Sequence, residues 1–143
     1  MANVLVIDDD PVVRRTVTRI LRSSGHETVE AVDGRKGIEA MGLQHMDLVI
    51  TDLFMPRQEG IETIREIRKI SALPIIAMSG GATTQGTPLV DPFDPLIAAQ
   101  QLGANMSIRK PFTGDALIAA VDEMLRTVPH ASDPQSPHRN RGA

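Results

Sequence analysis

Apolar residues along the chain fall into two alternating rhythms. Five short runs, at 3–7 (NVLVI), 27–31 (ETVEA), 47–51 (DLVIT), 74–78 (PIIAM) and 105–108 (NMSI), have the length and β-branched content of strands. Between them the apolar positions recur with helical spacing. Over 11–24, Val13, Val17, Ile20 and Leu21 share one face, with Asp10 placed as N-cap, Pro11 at the first helical position and Gly25 at the left-handed C-terminal position. Segment 34–44 follows Asp33-Gly34 and sets Ile38 with Met41, and 60–71 sets Ile61, Ile64 and Ile67 at spacing three. Asp94-Pro95 has the form of a cap and first residue for a helix through Leu102, and 113–126 aligns Leu117, Ala120, Val121 and Met124.

The order is therefore strand then helix, five times over. Strands separated by helices of this length pair in parallel through right-handed crossovers, and near-continuous Val/Ile/Leu runs imply cover on both faces. The fold class this predicts is α/β, a doubly wound five-stranded parallel sheet. Ligands of such sheets bind at the carboxyl ends of the strands, so chemistry is expected just after residues 7, 51, 78 and 108. Two segments stand outside the pattern. Residues 80–92 (GGATTQGTPLVDP) form a long Gly/Thr/Pro-rich connection, and 128–143 (VPHASDPQSPHRNRGA) lack an apolar period and are expected to be a disordered tail, leaving 1–127 as one domain.

Composition narrows the function classes. A chain of 143 residues with 41% hydrophobic and 23% charged residues can bury an ordinary core. The net charge of -3, with its positive residues scattered, leaves no basic footprint for direct nucleic-acid binding. Cysteine is absent, which removes disulfides and thiolate metal sites. No apolar run approaches about 18 residues and no leader pattern is visible, so the expectation is a cytoplasmic protein without a membrane partner. His26 and His45 sit near turns, and His130 and His138 lie in the tail, a poor set for a metal.

What the strand ends carry is more specific. Asp8 and Asp9 follow the first strand, Asp52 the third, Ser79 the fourth and Lys110 the fifth, so three carboxylates, a hydroxyl and an ammonium would meet at one sheet edge. Asp10-Pro11 already supplies the helix cap, which leaves Asp8 and Asp9 surplus to structure. Carboxylates are hard oxygen ligands suited to Mg²⁺, which commonly binds one or two of them plus a phosphate. A Lys can serve phosphoryl oxygens as a point charge and a Ser hydroxyl can donate to one. Such a pocket moves a phosphoryl group mainly by positioning and charge neutralisation.

At these residues the chain resembles the response-regulator receiver family, the CheY-like domains of two-component signalling, over roughly residues 2–127. The Asp8-Asp9 pair, Asp52 followed by Met55-Pro56 and Gly60, Ser79, and Lys110-Pro111-Phe112 carry the resemblance together. It implies the flavodoxin/CheY-like strand order 2-1-3-4-5. It further implies that Asp52 accepts a phosphoryl group from a histidine kinase or phosphotransfer protein, and that the domain then switches its contacts with a downstream protein. Asp9, Asp52 and the backbone carbonyl of Phe54 would bind Mg²⁺ directly and Asp8 through water. Lys110 would pair with the phosphoryl group, Ser79 would hydrogen-bond it, and the Lys110-Pro111 bond would be cis. Any catalysis would be confined to the domain's own phosphorylation and dephosphorylation. With no second apolar period after residue 127, the expectation is a receiver acting alone.

Some positions depart from the family. Ser107 stands where receivers usually carry an aromatic, the chain has no Tyr or Trp, and 80–92 includes an insertion of roughly nine residues beside Ser79. Output is therefore expected to run through that loop and the fourth helix. Phe54 and Gly81, at positions that tune dephosphorylation in the family, offer no polar side chain to orient a water, so fast self-hydrolysis is not expected. Other readings fit less well. A receiver that never takes phosphate conflicts with the intact acidic pocket, and a Mg²⁺-dependent aspartyl phosphatase wants a second Asp where Phe54 stands. A flavodoxin-type binder would place phosphate against Asp8 to Asp10, and the SGG at 79–81 lacks the full phosphate-loop pattern.

Overall fold

Val4, Leu5, Val6 and Ile7 are all fully buried, because the strand that carries them is covered on both sides. The computed structural model describes residues 1–53, 59–79 and 95–127, the side chains at 59, 95–98 and 127 excepted. Its elements run β1 (Asn3–Ile7), α1 (Pro11–Ser23), β2 (Glu27–Ala31), α2 (Gly34–Leu43), β3 (Leu48–Asp52), α3 (Glu59–Ile70), β4 (Ile75–Ser79), α4 (Pro95–Leu102), β5 (Met106–Arg109) and α5 (Gly114–Thr127). The five strands form one parallel sheet in the order β2-β1-β3-β4-β5. This is the doubly wound fold expected from the chain.

Strand alternation builds two cores from the same apolar runs. Leu5, Ile7, Val49, Ile75 and Ala77 face one way and pack with Ile64 and Ile67 of α3 and Ala99 of α4. Val4, Val6, Leu48, Ile50, Ile76 and Met78 face the other way and pack with Val17 and Leu21 of α1 and Leu117 and Val121 of α5.

The helix ends follow local chemistry. Asp10 caps α1 by accepting from the Val12 amide at 2.9 Å. The helix closes with Gly25 at φ 92°, its amide donating to Arg22 O and the next amide, of His26, to Leu21 O, a Schellman arrangement. Asp33 caps α2 through the Lys36 amide, and Thr113 caps α5 through the Ala116 amide, so Thr113 stands just outside the helix expected to include it.

Three strands start one residue later than expected, and the residue just before each still meets the sheet, through Asp47 N on Asn3 O, Pro74 O on Val49 N and Asn105 N on Ile75 O. Asp47 uses its carboxylate to accept from the Asn3 amide at 2.8 Å, Pro74 has no N–H to give the ladder, and Asn105 turns its side chain to the Ile75 amide at 2.9 Å. The shift carries Asp52 and Ser79 onto the last residues of β3 and β4 rather than just past them. At the opposite edge Arg68 of α3 donates to the Gly103 carbonyl at 2.8 and 3.0 Å, to Ser71 O at 3.2 Å and to Asn105 Oδ1 at 2.8 Å, tying the α4–β5 turn to α3. The expected Asp94 cap, the 80–92 connection and the 128–143 tail lie outside the described residues.

Gly60 in the first turn of α3 lies against the backbone that follows β3. A Cβ there would fall on the Asp52 carbonyl oxygen and on Leu53 Cα, neither of which can rotate away. Gly60→Ala is therefore expected to destabilise the fold by roughly 1–3 kcal/mol. Denaturant unfolding checks this, and an unchanged midpoint would contradict the close approach.

Candidate functional site: an acidic pocket closed by a lysine

The sheet ladders run one step past the strands at the carboxyl edge and so fix the backbone of the pocket. Asp8 N donates to Ala31 O at 3.1 Å, Leu53 N to Met78 O at 2.8 Å, and Lys110 N to Ser79 O at 2.8 Å. Asp8, Asp9 and Asp52 are thereby gathered so that one carboxylate oxygen of each lies within 4.8 Å of the others. Lys110 reaches between two of them, its Nζ 3.2 Å from Asp8 Oδ2 and 3.3 Å from Asp52 Oδ1. The Lys110-Pro111 peptide is cis.

The three carboxylates have distinct surroundings. Asp8 is fully buried (0% exposed), with Oδ2 on Lys110 and Oδ1 accepting from the Asp10 amide at 2.9 Å. Asp52 is buried as well, whereas Asp9 is exposed and its side chain has no partner among the described residues. Burial is the main force raising the Asp8 carboxyl above its ordinary value; the Asp10 amide and Lys110 oppose it, and the charge of Asp52 adds to it. One ammonium among three carboxylates leaves an excess of negative charge, and the donors are all hard oxygens. That set fits Mg²⁺, with Asp9 presenting oxygens without a partner among the described residues and Asp8 having both of its own engaged.

Ser79 is buried at the end of β4, where its carbonyl holds the Lys110 backbone. Phe54 and Gly81 lie outside the described residues. Ser107 occupies β5 opposite Ala77, and its hydroxyl accepts from Gln100 Nε2 of α4 at 3.2 Å. Arg14 of α1 is the residue the sequence reading passed over: its Nη1 donates to the Asp8 carbonyl at 2.7 Å and its Nε to Glu30 Oε1 at 2.9 Å. A signal was present, because Arg14 shares the helical stripe of the buried Val17, Thr18 and Leu21, an unusual place for a cation. Among the described residues no helix is long and apolar enough to cross a membrane.

The family model of the response regulator receiver domain matches residues 4–122. The chain belongs to that family. Receiver domains are the signalling input modules of two-component response regulators, and solved structures agree. A receiver domain protein from Clostridium thermocellum is 29% identical with a TM-score of 0.75, covering 88% of this chain and 95% of that one. The receiver domain of NtrX from Brucella abortus is 30% identical, also with a TM-score of 0.75, covering 87% of this chain and 98% of that one. Among curated relatives, the transcriptional regulatory protein CseB of Streptomyces avermitilis is 31% identical over 94% of this receiver and 53% of its own length. The DNA-binding response regulator MtrA of Mycolicibacterium smegmatis is 33% identical over 86% of this chain and 50% of its own length. The receiver thus spans about half the length of these relatives.

The raised Asp8 carboxyl sets a pH dependence. Folded Asp8 holds its proton more tightly than unfolded Asp8, so stability falls as pH rises from the unfolded value through the folded one. Asp8→Asn is expected to raise the metal-free Tm at pH 7 relative to wild type, with the gap closing in acid. Thermal unfolding from pH 4 to 7 checks this, and a variant less stable than wild type at pH 7 would contradict it.

Proposed function

We propose that this receiver accepts a phosphoryl group on Asp52 in a Mg²⁺-dependent reaction and thereby switches its contacts with a downstream protein. The observation that carries the reading is the placement of Asp52: buried at the end of β3, one oxygen on Lys110, within reach of two further carboxylates. Its donor would be the phosphohistidine of a sensor kinase or phosphotransfer protein. A carboxylate oxygen of Asp52 attacks phosphorus, the P–N bond breaks with its electron pair going to the imidazole, and an acyl phosphate forms.

Lys110 binds a phosphoryl oxygen and offsets the charge carried into the pocket, and the Ser79 hydroxyl donates to a second oxygen. Asp9, Asp52 and the Phe54 carbonyl would hold Mg²⁺, with Asp8 acting through a coordinated water. When bound, the ion neutralises the carboxylates and draws charge from the transferring group. Lys110 holds one oxygen of Asp52 in place before the donor arrives. Burial of Asp52 keeps bulk water away from the nucleophile.

Incubation with Mg²⁺ and a small phosphodonor such as acetyl phosphate, followed by intact-mass spectrometry, tests the reading. Wild type is expected to gain the mass of one phosphoryl group, and Asp52→Asn or chelation of the metal to abolish the gain. No Asp52-dependent gain would leave a receiver that works by fixed contacts without phosphate.

A further inference from the structure

We propose that Arg14 is a positioning residue for the cation site, acting through the peptide that joins Asp8 to Asp9. The inference rests on the reading of Asp8, Asp9 and Asp52 as a Mg²⁺ site. Its starting point is an imbalance in how the acidic turn is held. Asp8 is anchored on its amide by Ala31, and on its carboxylate by Lys110 and the Asp10 amide, while Asp10 is tied into α1 through Val12 and Arg14. The Asp9 side chain, exposed and without a partner among the described residues, takes its aim from the backbone alone.

That backbone is set from outside the turn. The Asp8 carbonyl and the Asp9 amide belong to one planar unit, so holding the carbonyl oxygen fixes the direction in which Asp9 leaves the strand. Arg14 Nη1 holds that oxygen at 2.7 Å. The guanidinium is itself locked, since its Nε donates to Glu30 Oε1 of β2 at 2.9 Å and its side chain is only 14% exposed. A planar fork can satisfy both partners at once, which a lysine ammonium cannot do with the same geometry.

Charge and position act here with opposite signs, and that makes the role measurable. A cation beside an acidic turn repels Mg²⁺, so if Arg14 acted only through its charge, removing it would tighten metal binding. If Arg14 holds Asp9 in place, removing it weakens binding despite the charge gained. Outer groups that orient metal ligands commonly shift affinity by about 10–100-fold.

The experiment is a Mg²⁺ titration by calorimetry of wild type, Arg14→Gln, Arg14→Lys and Arg15→Gln. Asp9 and Asp10 amide resonances of the metal-free proteins are recorded beside it. Arg14→Gln is expected to weaken Mg²⁺ binding about tenfold and Arg14→Lys by several-fold, each with a shifted Asp9 amide. Arg15→Gln, at an exposed neighbour, is expected to leave affinity unchanged or slightly tighter. Equal or tighter binding by folded Arg14→Gln would overturn the positioning role. So would unchanged affinity in Arg14→Lys, which keeps the charge and guards against a Gln variant that fails to fold. A wild type that binds no Mg²⁺, judged beside Asp9→Ala, would instead overturn the metal reading and this inference with it.

Discussion

Lys110 stands between two carboxylates that the fold drives out of water. Asp8 ends up fully buried and Asp52 nearly so, because the strands that carry them are covered on both faces and their ladders run one residue beyond the apolar run. Two buried anions side by side repel and are poorly solvated, and either one left unpaired would favour its protonated form. A single Nζ, 3.2 Å from one and 3.3 Å from the other, sets one positive charge against both. The ammonium must come from the far edge of the sheet, so the pocket exists only once β5 has docked on β4 and the Ser79 carbonyl has received the Lys110 amide.

The remainder of the architecture supplies the aim. Order β2-β1-β3-β4-β5 sets β1 beside β3, which brings the first and third strand ends together, and sets β4 between β3 and β5, which brings Ser79 under Lys110. Gly60 lets α3 lie against the Asp52–Leu53 backbone and Asp10 starts α1 without drawing on Asp8 or Asp9. Each device acts on backbone position, where a shift of a fraction of an ångström matters for ligand geometry. Stability and site geometry are therefore set by the same bonds.

Much of this was legible from residue order. The apolar runs marked β1, β3 and β4 because both faces are buried, the half-exposed edge strands β2 and β5 gave weaker runs, and the Asp10-Pro11 and Gly25 signals marked α1 because caps are local chemistry. Strand starts at 47, 74 and 105 fell one residue early: the long-range bonds of Asp47 and Asn105 are not visible in residue order, whereas the missing N–H of Pro74 is a local signal. Asp8, Asp9, Asp52, Ser79 and Lys110 stood out because chemistry gathers at the carboxyl edge of a parallel sheet. Arg14 stood out only as a cation on the buried stripe of α1, and the tertiary fold alone shows its fork between Asp8 and Glu30. The separate surroundings of Asp8 and Asp9 were likewise invisible, because burial is set by layers and not by adjacency.

The pocket's charge also determines how its proposed ligands would influence one another. A phosphoryl group on Asp52 replaces one carboxylate charge by about -1.5 to -2, and Lys110 then divides its ammonium between that group and Asp8. Asp8 loses part of its partner while remaining buried, so its cost rises unless another cation takes up the difference. A divalent ion beside Asp9 and Asp52 does so, and by linkage whatever factor the phosphoryl group adds to cation affinity the cation adds to the stability of the phosphorylated form. Arg14 and Glu30 sit outside this exchange as a neutral pair. Glu30 offsets part of the Arg14 charge, so the repulsion Arg14 exerts on a cation is reduced while its hydrogen bond to the Asp8 carbonyl holds the backbone from which Asp9 departs.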